Sequence, residues 1–300
     1  MMETVYLIGG SGFIGKHLAR VLSKEYKITV FDKFIDRDYF NNYPDVDTYC
    51  LDLIEEKIPE NFDTPDFVIN LASVVTAERD FSLFDSLIAS NLKILLNLYE
   101  RFKNYKDLKM LVQFGSSEEY GKAQSPYVET MREQPVSPYA LVKQLTTNTA
   151  LMLHSNYGFP AMVVRPGNLF GDGQNPNKFI PYVLQKLKAG ETLNVTPCEQ
   201  KRDFIHVDDF ADAIKAIIRN YTMCVGEIIN VSSGVSVSLK SIIEHYKKKL
   251  KSTSQVNYGA IPYRENEAMD LRCDTERLDC LMKGVLLKQT FNRMIAGNES

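Results

Sequence analysis

Three features that would place this chain in a specialised class of protein are missing from its 300 residues. Its five cysteines include no Cys-x-x-Cys pair and lie far from any paired histidines, which predicts free thiols and no metal site. The formal net charge is only −3, and the basic runs are too short to predict a nucleic-acid partner. No apolar stretch reaches about 18 residues, the length of a membrane span, so we expect no membrane partner.

The N-terminus also lacks a secretory pattern, because its apolar run is the first predicted strand. Free thiols and the missing leader together favour a cytoplasmic location. The remaining composition, 44% hydrophobic and 24% charged, is ordinary for a globular chain that is long enough to bury a full core. We therefore expect one large domain or one and a half.

The segment TVYLIGGSGFIGKHL near the N-terminus has the pattern of a buried strand, a glycine turn and a helix. In such a turn Gly9 permits a sharp reversal, Gly12 lets the backbone approach a pyrophosphate, and Gly15 lets the helix pack on the strand. The helix begins near Phe13 and Ile14, and its first amides would face the same anion. An ordinary glycine turn is the alternative, since this spacing is one residue longer than the commonest dinucleotide fingerprint.

The second predicted strand, ITVF, ends on Asp32, near the place where an acidic side chain accepts the ribose hydroxyls of NAD. Such a carboxylate would repel the 2'-phosphate of NADP. Lys33 weakens that argument, so NAD is the predicted cofactor and NADP stays open. Four further residues on the cofactor side follow the third and fourth strands: Asp52, Leu53, Leu71 and Ala72. For Asp52 alone, ordinary turn or cap chemistry is an equal alternative.

Strand and helix patterns alternate through the first 170 residues. Further strands are predicted at Val46–Leu51, Phe67–Asn70, Leu108–Phe114 and Ala161–Arg165, and long helices at Phe81–Lys103 and Pro138–Tyr157. Such alternation requires crossover connections, and it predicts an α/β fold with a doubly wound parallel sheet. We predict a dinucleotide-binding domain over residues 1–166 and a smaller interleaved lobe over 167–300, with a helix at 206–220 that returns to the first domain.

Three residues after the fifth strand carry the most informative pattern. Ser116 lies just past the carboxyl end of that strand, and Tyr139 and Lys143 lie four apart on one helix face. With the glycine turn and the Tyr-Gly pair that follows Ser116, they resemble the extended short-chain dehydrogenase/reductase family, of the NAD-dependent epimerase/dehydratase type. The resemblance implies a Rossmann fold and an enzyme that moves a hydride between a sugar carbon and a nicotinamide.

Within that resemblance, Tyr139 is the general acid or base. An ordinary tyrosine has a pKa of about 10, and Lys143 together with oxidised nicotinamide is expected to lower it by favouring the phenolate. Both residues would also contact the cofactor, while Ser116 would orient the reacting oxygen. Asn91 is expected to support Lys143 or a water relay, with a polar helix residue that caps or packs as the alternative. Glu118 is a candidate base at carbon 5, with an exposed acidic residue as the alternative.

The second half resembles the family's lobe for nucleoside diphosphate sugars. Arg202 and Arg264 match two arginines that clamp the substrate diphosphate, a use that suits the bidentate guanidinium. A surface ion pair is the alternative for either arginine alone. Asn168, Lys178 and Phe179 are expected beside them in the substrate site.

The same half further resembles reductases of nucleotide-linked 4-keto-6-deoxyhexoses. The leading hypothesis is therefore NAD(P)H-dependent reduction at carbon 4, in the biosynthesis of surface-polysaccharide sugars. A second hypothesis is an NAD-retaining 4-epimerase, 4-dehydrogenase or 4,6-dehydratase, and a third is a non-catalytic dinucleotide sensor. The family resemblance also implies a homodimer, formed through a four-helix bundle of the helices at Phe81–Lys103 and Pro138–Tyr157.

Overall fold

The computed structural model describes residues 2–76, 78–265, 267–283, 287 and 290. Its strands are β1 (Thr4–Ile8), β2 (Lys27–Asp32), β3 (Val46–Cys50), β4 (Phe67–Asn70), β5 (Met110–Phe114), β6 (Ala161–Pro166), β7 (Asn168–Phe170), β8 (Leu193–Val195), β9 (Lys201–His206), β10 (Ile228–Val231), β11 (Ser236–Ser238), β12 (Val256–Tyr258) and β13 (Asp270–Leu271). Its α-helices are α1 (Phe13–Leu22), α2 (Arg37–Phe40), α3 (Phe84–Ile88), α4 (Ile94–Phe102), α5 (Pro138–Tyr157), α6 (Phe179–Ala189), α7 (Val207–Arg219), α8 (Tyr221–Cys224), α9 (Leu239–Lys249) and α10 (Glu276–Met282). Two 3₁₀ turns span Phe81–Leu83 and Ser117–Tyr120, and a π-helical turn spans Ala89–Lys93.

Seven parallel strands form the central sheet, in the order β3-β2-β1-β4-β5-β6-β10. Apart from the edge strand β3, their side chains are largely buried on both faces, as Tyr6 and Leu7 of β1 and Val68 and Ile69 of β4 illustrate. Burial on both faces is typical of a parallel sheet covered by helices on each side. The strand order changes direction between β1 and β4, which opens a crevice at the carboxyl ends of the strands. The predicted doubly wound α/β fold is confirmed.

Helices cover the two faces of this sheet. On one face, α1 and α7 pack together and bury Leu22 and Ile214 against the strands. On the other face, α4 and α5 bury Leu98 and Leu153. Each fully buried aliphatic side chain contributes about 1.5–3 kcal/mol through removal from water. These two apolar layers fix the sheet edge from which the site residues project.

Two late segments of the chain belong to the sheet domain. The predicted helix at 206–220 is observed as α7, and it packs on α1. β10 pairs with β6 and α10 packs against β10 and α7, although sequence analysis placed both segments in the lobe over 167–300. β10 is only four residues long, and its partner strand lies far earlier in the chain. Sequence periodicity does not indicate which sheet such a short buried strand joins, because long-range packing decides it.

The lobe is built on a second, smaller sheet. Strands β7, β9, β11 and β13 form it, while β8 pairs with β12. α6 and α9 cover these strands, and the lobe core includes Phe170, Val183, Leu193 and Ile242. This lobe supplies one wall of the crevice described below.

The helical segment Phe81–Phe102 is long and apolar enough to cross a membrane by length and composition, with a mean hydropathy of 1.2 over 18 residues. Sequence analysis expected no apolar stretch of this length. The segment reaches it because the helix continues through its 3₁₀ and π turns, and it includes small polar residues. Leu87 packs against Tyr139 and Val142 of α5, and Leu95 joins the core under the sheet. Packing thus accounts for the apolar character of this buried face.

Candidate active site

The glycine turn between β1 and α1 has the geometry that its spacing predicts. Gly9 adopts φ +75°, and a Cβ there would lie 2.8 Å from the backbone of Ala72. A Cβ on Gly15 would lie 2.4 Å from the Cα of Gly10, so a glycine is needed for this close approach. A Cβ on Gly12 would meet nothing nearer than the Gly9 carbonyl oxygen at 3.5 Å, and Gly12 lines the pocket.

The start of α1 and the end of β2 fit a dinucleotide. α1 has no side-chain cap, because its N-cap is Gly12, so its first amides are left for an anion such as a pyrophosphate. Asp32 is held by the amides of Ser11 and Phe34, which donate to Oδ2 at 3.0 Å and Oδ1 at 3.1 Å. Its carboxylate lines the same pocket, where it suits the ribose hydroxyls of NAD. Lys33 lines the pocket as well.

One cavity of about 660 Å³ connects these elements with the lobe. The predicted site residues that line it are Gly9, Gly12, Phe13, Ile14, Gly15, Asp32, Asp52, Leu53, Leu71, Ala72, Ser116, Glu118, Tyr139, Lys143, Asn168, Lys178, Phe179 and Arg202. Asn91 and Arg264 are not part of this wall. In the part of the chain that the structure describes, no cluster of His, Cys, Asp and Glu side chains could hold a metal ion.

Tyr139 and Lys143 project from the first turns of α5, which begins at the N-cap Ser137. Both side chains are buried. Lys143 Nζ donates to the Phe114 carbonyl oxygen at 2.9 Å and lies 5.8 Å from the centre of the Tyr139 ring. Ser116 is held at the end of β5 as the N-cap of the 3₁₀ turn. The structure therefore brings the three predicted catalytic residues together at one strand end.

Burial controls the ionisation of this centre. It raises the pKa of Tyr139 well above the ordinary value, and the Glu118 carboxylate raises it further, while the hydroxyls of Ser116 and Ser73 lower it. Burial also lowers the pKa of Lys143 to about 8. Sequence analysis expected Lys143 and oxidised nicotinamide to lower the tyrosine pKa. Among the protein's own groups, desolvation of the phenolate is the largest effect on this pKa, and the effect expected of Lys143 with oxidised nicotinamide stays a prediction.

Glu118 lies inside the pocket, where it is accessible to solvent but surrounded by protein. Burial raises the pKa of this carboxyl, and the charges of Lys178, Arg79 and Arg264 oppose the shift. Glu118 is exposed, as the alternative expected, and it also lines the pocket, so its role as a base stays a prediction. A carboxyl with a raised pKa beside Tyr139 has the properties of an acid or base near neutral pH.

Asn91 occupies the π-helical turn and is fully buried. Its Nδ2 donates to the Leu87 carbonyl oxygen at 2.9 Å and to Ser90 Oγ at 3.2 Å, and its Oδ1 has no partner among the described residues. These contacts lie within its own helix. The expected support of Lys143 is not seen as a direct contact, because Lys143 Nζ bonds to Phe114 instead.

The two predicted diphosphate arginines lie in different environments. Arg202 lines the pocket, but its guanidinium pairs with Glu267 and donates to the Ala268 carbonyl oxygen at 2.8 Å. Burial lowers its pKa. Arg264 is exposed, and its charge reaches Glu118. The clamp by both arginines stays a prediction.

Sequence analysis missed several residues of the wall. Ser73, Val74 and Val75 follow β4 and line the pocket, and Phe204 and Leu239 line it from the lobe. The segment after β4 has no helix or strand periodicity that would single it out. Its position directly after the carboxyl end of a parallel strand was the available signal.

The chain is similar in sequence or structure to several known proteins that are named for nucleotide-linked sugars. CDP-abequose synthase of Salmonella muenchen is 35% identical over 115 residues, which are 38% of this chain and 39% of that protein. dTDP-D-glucose 4,6-dehydratase of Dictyostelium discoideum is 24% identical over 265 residues, 79% of this chain and 60% of that protein. The chain thus matches less than two thirds of the length of these two curated relatives. UDP-glucuronic acid 4-epimerase from Bacillus cereus, solved with UDP-glucuronic acid and NAD, has a TM-score of 0.86 at 20% identity, covering 98% of this chain and 96% of that one.

A family model gives the broader assignment. The model of the NAD dependent epimerase/dehydratase family matches residues 5–232, which is well over half of the chain. The match includes the glycine turn, Ser116, Tyr139 and Lys143. This chain therefore belongs to the NAD dependent epimerase/dehydratase family.

Proposed function

We propose that this enzyme is an NADH-dependent reductase of a nucleoside diphosphate 4-keto-6-deoxyhexose, in the biosynthesis of surface-polysaccharide sugars. The observation that carries the proposal is geometric: Ser116, Tyr139 and Lys143 lie together on the wall of one pocket, and the phenol of Tyr139 is available there as a proton donor at neutral pH. Reduction of a ketone requires such an acid, whereas oxidation of an alcohol requires the phenolate.

Each of the three catalytic residues has a separate role in that reaction. The glycine turn and Asp32 would hold NADH, which would supply the hydride for the carbonyl carbon. The Ser116 hydroxyl orients the carbonyl oxygen, and Tyr139 gives its phenolic proton to that oxygen, so that the ketone becomes an alcohol. Lys143, buried beside the Tyr139 ring, stabilises the phenolate that is left behind.

The lobe side of the pocket supports a nucleotide-linked substrate. Lys178 and Arg202 offer cations for a diphosphate, and Phe179 offers an aromatic surface. The names of the three relatives above each contain a nucleotide-linked sugar, carried by CDP, dTDP or UDP. The nucleobase is left open by this argument.

A second candidate is a 4,6-dehydratase that returns its hydride to the same substrate. Glu118 favours it, because a carboxyl with a raised pKa inside the pocket can move the proton at carbon 5. The two candidates differ in how much NADH is consumed for each molecule of product. A reductase consumes one NADH for each product, whereas a dehydratase consumes none.

Deuterium labelling separates the two candidates. The enzyme is incubated with NADH carrying deuterium at the transferable position of the nicotinamide and with CDP-, dTDP-, GDP- and UDP-linked 4-keto-6-deoxyhexoses. The proposal predicts one deuterium at carbon 4 of the product and loss of absorbance at the NADH band. Unlabelled 4-keto-6-deoxy product made from a nucleotide-linked hexose without added NADH would instead establish the dehydratase.

We also propose that two copies associate through α5 and the helical segment before β5. On α5, Leu141, Leu145 and Met152 lie on one face and are each about 40% exposed, and Leu96 of α4 is exposed to the same extent. Apolar side chains in a stripe on a helix face are typical of a helix-bundle interface. A four-helix bundle between two copies would cover them.

A further inference from the structure

Glu119 is a buried carboxylate that the proposed reaction does not use. It follows Glu118 in the 3₁₀ turn at Ser117–Tyr120, yet its side chain is 0% exposed and does not line the pocket. A buried charge is costly unless its oxygens are fully paired. The hydrogen-bond partners of Glu119 therefore indicate its role in the structure.

Three hydrogen-bond donors from three elements hold this carboxylate. Ser116 donates its amide to Oε1 at 2.7 Å, and Thr147 donates its hydroxyl to the same oxygen at 3.1 Å. Arg165 of β6 donates to Oε2 through Nε at 3.0 Å, and its Nη2 forms an ion pair with the same oxygen at 2.8 Å. Burial raises the pKa of Glu119, and these partners oppose that shift by favouring the charged carboxylate.

The positions of these donors relate Glu119 to the catalytic centre. Ser116 carries the hydroxyl that faces Tyr139, and its own amide is fixed by Glu119 in a capping box. Thr147 lies one helical turn after Lys143 and on the same face of α5. One carboxylate thus joins the turn that carries Ser116 to the helix that carries the other two catalytic residues.

Glu119 also reaches this centre through its charge. Burial lowers the pKa of Lys143 and the charge of Glu119 raises it, and the balance of the two effects is a pKa of about 8. Glu119 also raises the pKa of Tyr139, after the larger effects of burial and of Glu118.

Of the other charges near the centre, Glu118 acts on Tyr139 directly and more strongly than Glu119. Arg165 faces Glu119, and its Nη2 also pairs with Glu133. The cations that face Glu118 are Lys178, Arg79 and Arg264. Glu119 is therefore the carboxylate that acts on both members of the catalytic pair.

We propose that Glu119 is a positioning residue, which fixes Ser116 against the helix of Tyr139 and Lys143 by bonding both Ser116 and Thr147. This inference rests on the proposed reduction through Tyr139. A purely structural ion pair with Arg165 is the alternative explanation.

Glu133 provides a matched control for that alternative. It pairs with the guanidinium of Arg165, as Glu119 does, but its described ion pair does not involve Ser116 or Thr147. Loss of charge at Glu133 therefore weakens the ion pair and its contact with Gln144, but leaves the hydrogen bonds of Glu119 to Ser116 and Thr147 in place. Loss of charge at Glu119 weakens the ion pair and disturbs the catalytic centre.

The kinetic test compares Glu119→Gln and Glu133→Gln with the parent enzyme. We expect Glu119→Gln to lower kcat by ~10-fold to 100-fold, the range expected for small displacements of reacting groups, with KM changed less than about twofold. The alkaline limb of the kcat–pH profile should move to lower pH, because loss of the negative charge lowers the pKa of Lys143 and of Tyr139. Glu133→Gln should keep both kcat and the limb close to parental. Equal changes in the two variants would overturn the proposal.

Two further measurements keep the test decisive. If Glu119→Gln yields no folded protein, Thr147→Val removes one hydrogen bond to the carboxylate and leaves its ion pair intact; a parental kcat in that variant would overturn the positioning role.

The pKa of Lys143 is followed without any substrate by NMR of ¹⁵N-labelled lysine, with Lys143→Met to assign the signal. Glu119→Gln should lower that midpoint and Glu133→Gln should not. An unchanged midpoint refutes the electrostatic role even if no sugar in the panel is reduced.

Discussion

The glycine turn allows stability and cofactor binding to be separated by two single substitutions. A methyl group on Gly15 would lie 2.4 Å from the Cα of Gly10 and 2.5 Å from its carbonyl oxygen, both rigid backbone atoms. Overpacking of this kind costs about 1–3 kcal/mol, and alanine regains at most ~1 kcal/mol of helix propensity. Because backbone yields less than a side chain, we expect Gly15→Ala to lower the free energy of unfolding by about 2 kcal/mol.

Gly12→Ala is the matched substitution. Its methyl group would meet its nearest neighbour, the Gly9 carbonyl oxygen, at an ordinary 3.5 Å, so we expect the free energy of unfolding to fall by less than about 1 kcal/mol. The methyl group would occupy the side of the turn that faces the pocket, so the Kd for NADH should rise at least ~10-fold, or about 1.4 kcal/mol. Urea titration gives the stability, and quenching of protein fluorescence gives the Kd. If both variants are equally stable, the close approach of Gly15 to Gly10 is wrong; parental NADH affinity in Gly12→Ala would move the pyrophosphate elsewhere.

Three further predictions concern the cofactor, the substrate and the assembly. Asp32→Ala should weaken NADH binding and reduce discrimination against NADPH in fluorescence titrations, and equal affinity for both cofactors in the parent would contradict the ribose assignment. Arg264→Ala should raise the KM for the nucleotide sugar with unchanged NADH affinity, and Arg202→Ala should do the same at a cost of about 2–5 kcal/mol if it clamps the diphosphate; parental kinetics in both would place the substrate elsewhere. Leu145→Lys should convert a dimer to a monomer in sedimentation equilibrium, with Lys251→Ala as a surface control, and a parental mass would exclude α5 from the interface.

Most of the sheet domain could be predicted because its signals are local. Each early strand is a short apolar run closed by a turn, and α5 matches its predicted bounds, Pro138–Tyr157, because Ser137, Pro138 and Gly158 mark its two ends. β10 and α10 could not be placed in this way. Their membership of the sheet domain depends on contacts with β6 and α7, which are distant in sequence.

The candidate site shows the same division between local and long-range information. Residues that occupy strand ends, such as Ser116 and Asp32, were predictable because the fold brings those ends to one edge. The ionisation of Tyr139 was not predictable, because its raised pKa depends on how much protein surrounds the side chain. The pairing of Arg202 with Glu267 likewise joins two segments that no local pattern connects. Glu119 was overlooked although the spacing Ser-x-x-Glu from Ser116 is a capping-box signal.

Hydride transfer in a Tyr139→Phe variant tests the central claim most directly. The substitution keeps the ring and its packing against Leu87 and Val142 and removes the phenolic proton. Single-turnover oxidation of bound NADH by the accepted 4-keto sugar is followed in stopped flow for parent and variant, with binding of both ligands checked by titration. The account predicts intact binding and a rate lowered by ~100-fold to 10,000-fold, the usual loss when a general acid is removed. A near-parental rate in the phenylalanine variant would show that reduction does not proceed through Tyr139.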